Sequence, residues 1–210
     1  MSTLPPAARL RTRDEASLWI ERIPSWAFVL VVPALLALQA IILLAMGREP
    51  ICTCGTVKLW HGAVFSSENS QHIFDWYSFT HLEHGFGLYF FARLLLPRAS
   101  LAPRLALAVL VEGGWEVLEN SNFIIDRYRT ATIALSYYGD SIVNSLGDTL
   151  TMMLGFVLAA RLPAWGTVGL AVVMEITLGY LIRDNLTLNI IMLLHSFDAI
   201  KAWQATPLLR

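Results

Sequence analysis

From Trp26 to Met46 the chain carries no charged side chain. A helix crossing the roughly 30 Å hydrocarbon core of a bilayer needs about 20 mostly apolar residues at about 1.5 Å rise each. This run has that length. The polar segment before it is already about as long as a complete signal peptide, so the run reads as an uncleaved first span. A chain committed to one such helix must find further elements that tolerate the same solvent.

Composition agrees. Only 15% of the 210 residues are charged and 56% are hydrophobic, against about 25% charged in soluble domains. Formal net charge is −1. That balance gives no electrostatic case for nucleic acid as a partner, because such binding needs a basic stripe or patch.

Further apolar runs predict an all-α, polytopic transmembrane helix bundle of five to six spans. The second runs from His81 to Leu96, ended by Pro97, with Arg93 placed to snorkel. The third covers Leu105 to about Ile125, the fourth Ile142 to Ala160, and the fifth Ala164 to Ile182. Residues 186–199 form a sixth segment, short for a span and readable as re-entrant. The domain plan is thus an N-terminal cytoplasmic segment 1–25, a bundle 26–200 with outer loops at 47–80 and 126–141, and a tail 201–210. Short interfacial helices are expected in the first loop around Trp60 and Trp76.

Orientation follows the basic residues. With the N-terminus in the cytoplasm, Arg9, Arg11, Arg13, Arg22, Arg93, Arg98, Arg104, Arg161, Lys201 and Arg210 lie inside. Only Arg48, Lys58, Arg127, Arg129 and Arg183 lie outside. This orientation, with six spans, puts both termini in the cytoplasm.

The polar residues then gather at one depth. Asp75, His81 and His84 enter the second span, while Glu116, Glu119 and Asn120 end the third. Asp140, Asn144 and Asp148 begin the fourth. Glu175 and His195 approach the same level from the fifth and sixth segments. Glu112, Glu116 and Asn120 recur every four residues and so share a helix face, as do Asp140, Asn144 and Asp148. An ionisable group in hydrocarbon costs at least about 2.5–3.5 kcal/mol, so these faces should turn into the bundle. Gly113, Gly114, Gly147 and Gly155 would admit close helix approach. A purely structural hydrogen-bond network explains such residues too, although several facing carboxylates repel unless protonated or bridged by a cation.

Imidazoles and carboxylates at these spacings suit a divalent metal such as zinc, with His81, His84, Glu116 and Asp148 as ligands. Glu112, Glu116, Asp140, Asn144 and Asp148 are the candidate catalytic residues, with Glu112 or Glu116 as general base. Cys52 and Cys54, the only cysteines, can close a small disulfide ring that staples the first loop. No phosphate loop, dinucleotide fingerprint or serine-hydrolase elbow occurs.

Three stretches together resemble a family of proteobacterial multi-pass inner-membrane proteins of unknown function. They are His72-Ile-Phe-Asp75-Trp-Tyr-Ser-Phe-Thr-His81-Leu-Glu-His84-Gly, Glu112-Gly-Gly-Trp-Glu116-Val-Leu-Glu119-Asn120-Ser and Tyr138-Gly-Asp140-Ser-Ile-Val-Asn144-Ser-Leu-Gly-Asp148. The resemblance covers about residues 15–204; it implies a membrane location and no activity. The order Asp75, His81, Glu112/Glu116, Gly147-Asp148 is also faintly similar to the VanZ-like membrane proteins. The functional expectation is an outward-facing, metal-assisted enzyme acting on a membrane lipid or lipid-linked envelope substrate. A proton- or ion-coupled transporter and a non-catalytic scaffold are the alternatives.

Overall fold

A computed structural model describes residues 23–206 other than 133 and 135. The expected cytoplasmic segment lies almost wholly outside the described residues, as do the last four of the tail. Within them the chain is all helical: α1 Ser25–Ala45, α2 Ser78–Leu95, α3 Leu101–Glu119, α4 Asn122–Ala131, α5 Ile142–Arg161, α6 Ala164–Leu181, α7 Leu186–Leu194 and α8 Asp198–Gln204.

Three of these helices, α1, α5 and α6, are long and apolar enough to cross a membrane, fewer than the five to six expected. The second and third runs do form helices, of 18 and 19 residues. However, α2 carries His81, Glu83, His84 and Arg93, and α3 carries Arg104, Glu112, Glu116 and Glu119, which removes them on composition. Half of the α5 span is buried, against 11% of α1 and 6% of α6. Thus α5 is the central helix, while α1 and α6 present apolar sides outward, including Leu30, Ile41, Val168 and Ile176.

The third run ends earlier than expected. It stops at Asn120 because Ser121 caps a new helix, its hydroxyl accepting from Ile124 N at 3.4 Å. Residues 122–131, expected partly as loop, are therefore α4. Residues 186–199 do not span. Helix α7 has nine residues, about 14 Å of rise, and α8 follows after a break at His195–Phe197. This C-terminal stretch returns to α4 and the α6 end: Arg127 Nε donates to Leu193 O, Ser196 Oγ to Ala131 O and Gln204 Nε2 to Asp184 Oδ1. No helix forms around Trp60 or Trp76. That segment is held instead by an extended bridge between Trp60 and Phe74, with His61 N donating to Phe74 O and Phe74 N to Leu59 O.

The core is the α2–α5 crossing, with α3 packed against both and α1 against α3. Its apolar part is Ala92, Ala108, Val109, Met152 and Phe156. Two glycines set the approach. A Cβ on Gly155 would sit 2.1 Å from Leu82 O, and one on Gly85 2.2 Å from Met152 O. Gly147 similarly faces Ile73 O. Of the glycines expected to allow close contact, Gly147 and Gly155 do so. Gly113 meets only the Gln39 side chain, and Gly114 has open space around its Cβ position.

Gly155→Ala should therefore destabilise the fold by about 1–3 kcal/mol, since backbone cannot rotate out of the way. Gly114→Ala should stay within about 0.5 kcal/mol of the parent. Thermal unfolding in detergent, followed by helical circular dichroism, checks the pair; equal midpoints would contradict the packing described.

Candidate functional site

Alternation of direction along the chain brings five segments to one end of the bundle: the start of α2, the end of α3, the start of α5, the loop 137–140 and the stretch after α6. Hydrogen bonds tie them together. Asn120 Nδ2 donates to Asp140 Oδ2 at 2.7 Å, Ser78 Oγ to Asp148 Oδ1 at 2.7 Å, and Tyr77 OH to Asp184 Oδ2 at 3.1 Å.

His81 lies at the centre, 6% exposed. Its Nδ1 is 2.7 Å from Glu112 Oε1 and 3.3 Å from Glu116 Oε1, while its Nε2 is 3.9 Å from Asp148 Oδ2. His84 Nδ1 lies 3.0 Å from the same Glu112 Oε1. An ionised carboxylate only accepts, so both imidazoles donate to it through Nδ1. That puts a proton on His81 Nδ1 and turns Nε2 toward Asp148. The 3.9 Å separation is too long for a hydrogen bond.

Glu116 is fully buried. Its Oε2 accepts from Ser145 Oγ at 2.6 Å, and its Oε1 has no hydrogen-bond partner. Ser145 Oγ in turn accepts from Gln39 Nε2 at 2.8 Å, and Gln39 Oε1 from Thr149 Oγ1 at 3.0 Å. A polar relay thus links α1 to the site. On the other side, Asp75 N donates to Ser78 Oγ, which donates to Asp148. Asp75 itself accepts from Ser70 N and Tyr77 N.

Two constellations have metal-ligating spacing: His81, His84 and Glu112, and His81, Glu116 and Asp148. In each, one ligand atom per residue lies within 4.8 Å of the others. The expected ligand set is therefore divided. His81, Glu116 and Asp148 come together, while His84 turns to Glu112. Glu112 Oε1 contacts both imidazoles. Asn144 is buried, with neither side-chain amide atom hydrogen-bonded, and lies outside the cavity wall. Glu175 and His195 are not in the cluster. Glu175 accepts from Leu186 N at 2.8 Å, capping α7, and His195 is exposed against Phe197. Their places are taken by Asp184 and Asn189.

The site opens into a cavity of about 300 Å³. His81, His84, Asp140 and Asp148 form its polar wall; Trp115, Leu186, Ile190 and Leu193 belong to its apolar one. Tyr137 OH donates to Asp140 Oδ1 at 3.0 Å, and the Tyr128 hydroxyl lies 2.8 Å from Glu119 Oε1 and 3.0 Å from Asn189 Oδ1. Burial raises the Asp140 carboxyl to about 6 and the Asp184 carboxyl to about 7, because the ion loses water without a full counter-charge. Sequence reasoning missed Gln39, Ser78, Ser145, Tyr137 and Asp184. Gln39 was the most accessible of these, as a lone amide inside an otherwise apolar run.

The sequence model of a family described as protein of unknown function (DUF2585) matches residues 43–206. The chain is similar to a UPF0314 protein of Paracoccus denitrificans, 54% identical over 87% of this chain and 92% of that one. A UPF0314 protein of Rhizobium etli is 58% identical over 81% and 88%, and one of Sphingopyxis alaskensis 54% over 84% and 94%. No solved structure matches.

The raised Asp184 carboxyl has a sign that can be worked out. Its proton is held more tightly in the folded chain than in the unfolded one, where the value is near 3.8. Stability contributed by the protonated form is complete below pH ~4 and lost as pH rises through about 7. Asp184→Asn should flatten that decline, by an amount of the order of 3 kcal/mol between pH 5 and 8. Thermal midpoints from pH 5 to 8 test it; parallel profiles for parent and variant would contradict it.

Proposed function

We propose that this chain, which belongs to the DUF2585 family, is a membrane-embedded enzyme using a divalent metal on a lipid or lipid-linked envelope substrate. The carrying observation is the cavity in which His81, Asp140 and Asp148 face Trp115, Leu186, Ile190 and Leu193. Such a wall suits a polar headgroup joined to a hydrocarbon chain.

The residues present fit a metal. His81 Nε2 and Asp148 Oδ2, 3.9 Å apart without a hydrogen bond between them, have the separation of two ligands reaching one ion by bonds of about 2.0–2.2 Å. Glu116 supplies a buried oxygen that makes no hydrogen bond and lies 3.3 Å from the same imidazole. Glu112 plays the orienting part usual behind a metal-bound imidazole. A zinc ion held there would supply an acidic bound water and polarise an ester or phosphoryl oxygen. The chain's own part is separate. Asp140 and Tyr137 stand at the cavity wall to exchange a proton with substrate, and Asp148 is positioned by Ser78.

The membrane reading adds α2 and α3 as crossings shielded by α1, α5 and α6, five in all, with the cavity on the outer side. Lys201 then moves to the cavity end. Orientation rests on Arg9, Arg11, Arg13 and Arg22 before α1. A transport pathway would need polar groups through the opposite half. There α2, α3 and α5 instead pack Ala92, Ala108, Val109, Met152 and Phe156, which favours an enzyme.

Purified parent protein should hold about one divalent ion per chain, lost in His81→Ala and Asp148→Asn. With inner-membrane lipid extract, the parent should release or transfer a headgroup in a metal-dependent reaction read by mass spectrometry. Equal, substoichiometric metal in all three proteins with an unchanged lipid profile would overturn the reading.

A further inference from the structure

A second cluster lies in the loop before α2, apart from the cavity wall. Cys52 and Cys54 are joined as a disulfide, and they are the only cysteines in the chain. Glu68 and His72 sit beside them. One ligand atom from each of the four lies within 4.8 Å of all the others. Cys52 is 2% exposed, the His72 side chain is fully buried, and Glu68 is one-third exposed. His72 Nε2 is 2.9 Å from Glu68 Oε2, and Lys58 Nζ pairs with the same carboxylate.

We infer that Cys52, Cys54, Glu68 and His72 form a redox-gated zinc site, closed while the two sulfurs are bonded and opened by reduction. Two thiolates, an imidazole and a carboxylate are a tetrahedral zinc donor set, and the soft sulfurs select zinc over magnesium or calcium. Charge closes as well. Two thiolates and the Glu68 carboxylate balance a divalent ion and the Lys58 ammonium. In the oxidised loop neither sulfur is a thiolate, so only His72 and Glu68 remain as donors.

The step balances with a dithiol as reductant. Two electrons and two protons from it break the Cys52–Cys54 bond, and it leaves as its own disulfide. Binding of the ion then displaces the two thiol protons. Coordination through Nε2 moves the His72 ring proton to Nδ1 and gives up the long, 3.3 Å contact from Lys58 N.

The location gives the site a consequence. His72 is three residues before Asp75, whose carboxylate holds Ser70 N and Tyr77 N and whose amide feeds the Ser78–Asp148 pair. Residues 72–74 also pair with 58–61 through Ile73 N to Lys58 O and His61 N to Phe74 O. Exchange of a covalent staple for a metal clip therefore acts on the segment that leads into the cavity.

Cobalt(II) tests this directly, because thiolate-to-cobalt charge-transfer absorption can arise only at Cys52 and Cys54, wherever else the chain binds metal. Full-length protein in detergent is titrated with Co2+ as isolated and after a phosphine reductant, which takes up the oxygen of water and leaves no competing thiol. The reduced protein should develop the band, saturating near one equivalent and bleached by zinc, while the oxidised protein shows none. Glu68→Gln and His72→Ala should each weaken the apparent affinity at least about tenfold. Two outcomes would overturn the inference: no band after reduction with free thiols verified by titration, or a band of full affinity in both variants. Glu68 is a surface side chain, so its variant decides the matter even where His72→Ala folds poorly.

Discussion

The backbone contact of α2 with α5 governs the rest of the molecule. Gly85 and Gly155 remove the side chains that would otherwise hold the helices apart, and Gly147 repeats the device against Ile73. At this spacing Ser78 reaches Asp148 at 2.7 Å and His81 faces Asp148 across 3.9 Å. A normal interaxial distance of 8–10 Å with larger side chains would part both pairs. The helix carrying the imidazoles and the helix carrying the aspartate are in register because little stands between them.

Burial of so many polar atoms needs internal partners, since each unpaired one costs about 1–3 kcal/mol. The chain supplies them in two relays, Gln39–Ser145–Glu116 and Asp75–Ser78–Asp148. Both relays end on a carboxylate beside His81. Glu116 Oε1 and the Asn144 amide are the exceptions there. The relays also draw α1 into the assembly through one amide in an otherwise apolar helix. Loss of that amide would leave Ser145 and Thr149 short of partners rather than merely remove a contact.

Helix content was legible from the sequence wherever an apolar run met a stop signal, as at Pro97 after α2. The inward turn of Glu116 and Asp148 was also legible, because four-residue spacing fixes a helix face, whereas Asp140, read on the same face as Asp148, lies in the loop before α5. The number of membrane-length helices was not. Runs of suitable length at α2 and α3 carry too many ionisable groups, and their apolarity comes from neighbours. Nor was the break at Ser121 read, where a capping hydroxyl outweighed continuing hydrophobicity. Glu175 does reach the cavity end, beside Leu186 and Asp184, but depth along a helix says nothing of azimuth, and it turns to cap α7, while His195 is exposed. The pairing of His84 with Glu112 depends on the rotation of α2 against α3, which no single-helix pattern encodes.

Leu186, Ile190 and Leu193 line the cavity opposite a floor drawn from the loop before α2, α2, α3, α4, the loop 132–140 and α5. Floor residues are therefore made well before Leu186, Ile190 and Leu193 leave the ribosome. During biogenesis the polar floor of His81, Asp140 and Asp148 stands uncovered until nearly the last residues arrive. A nascent chain stalled or clipped after α6 would keep its bundle and its imidazoles but have no lid over them. Such a product would expose acidic groups and a half-built apolar wall together, the kind of surface that membrane quality-control proteases recognise. The final thirty or so residues thus decide whether the earlier ones become a site or a liability.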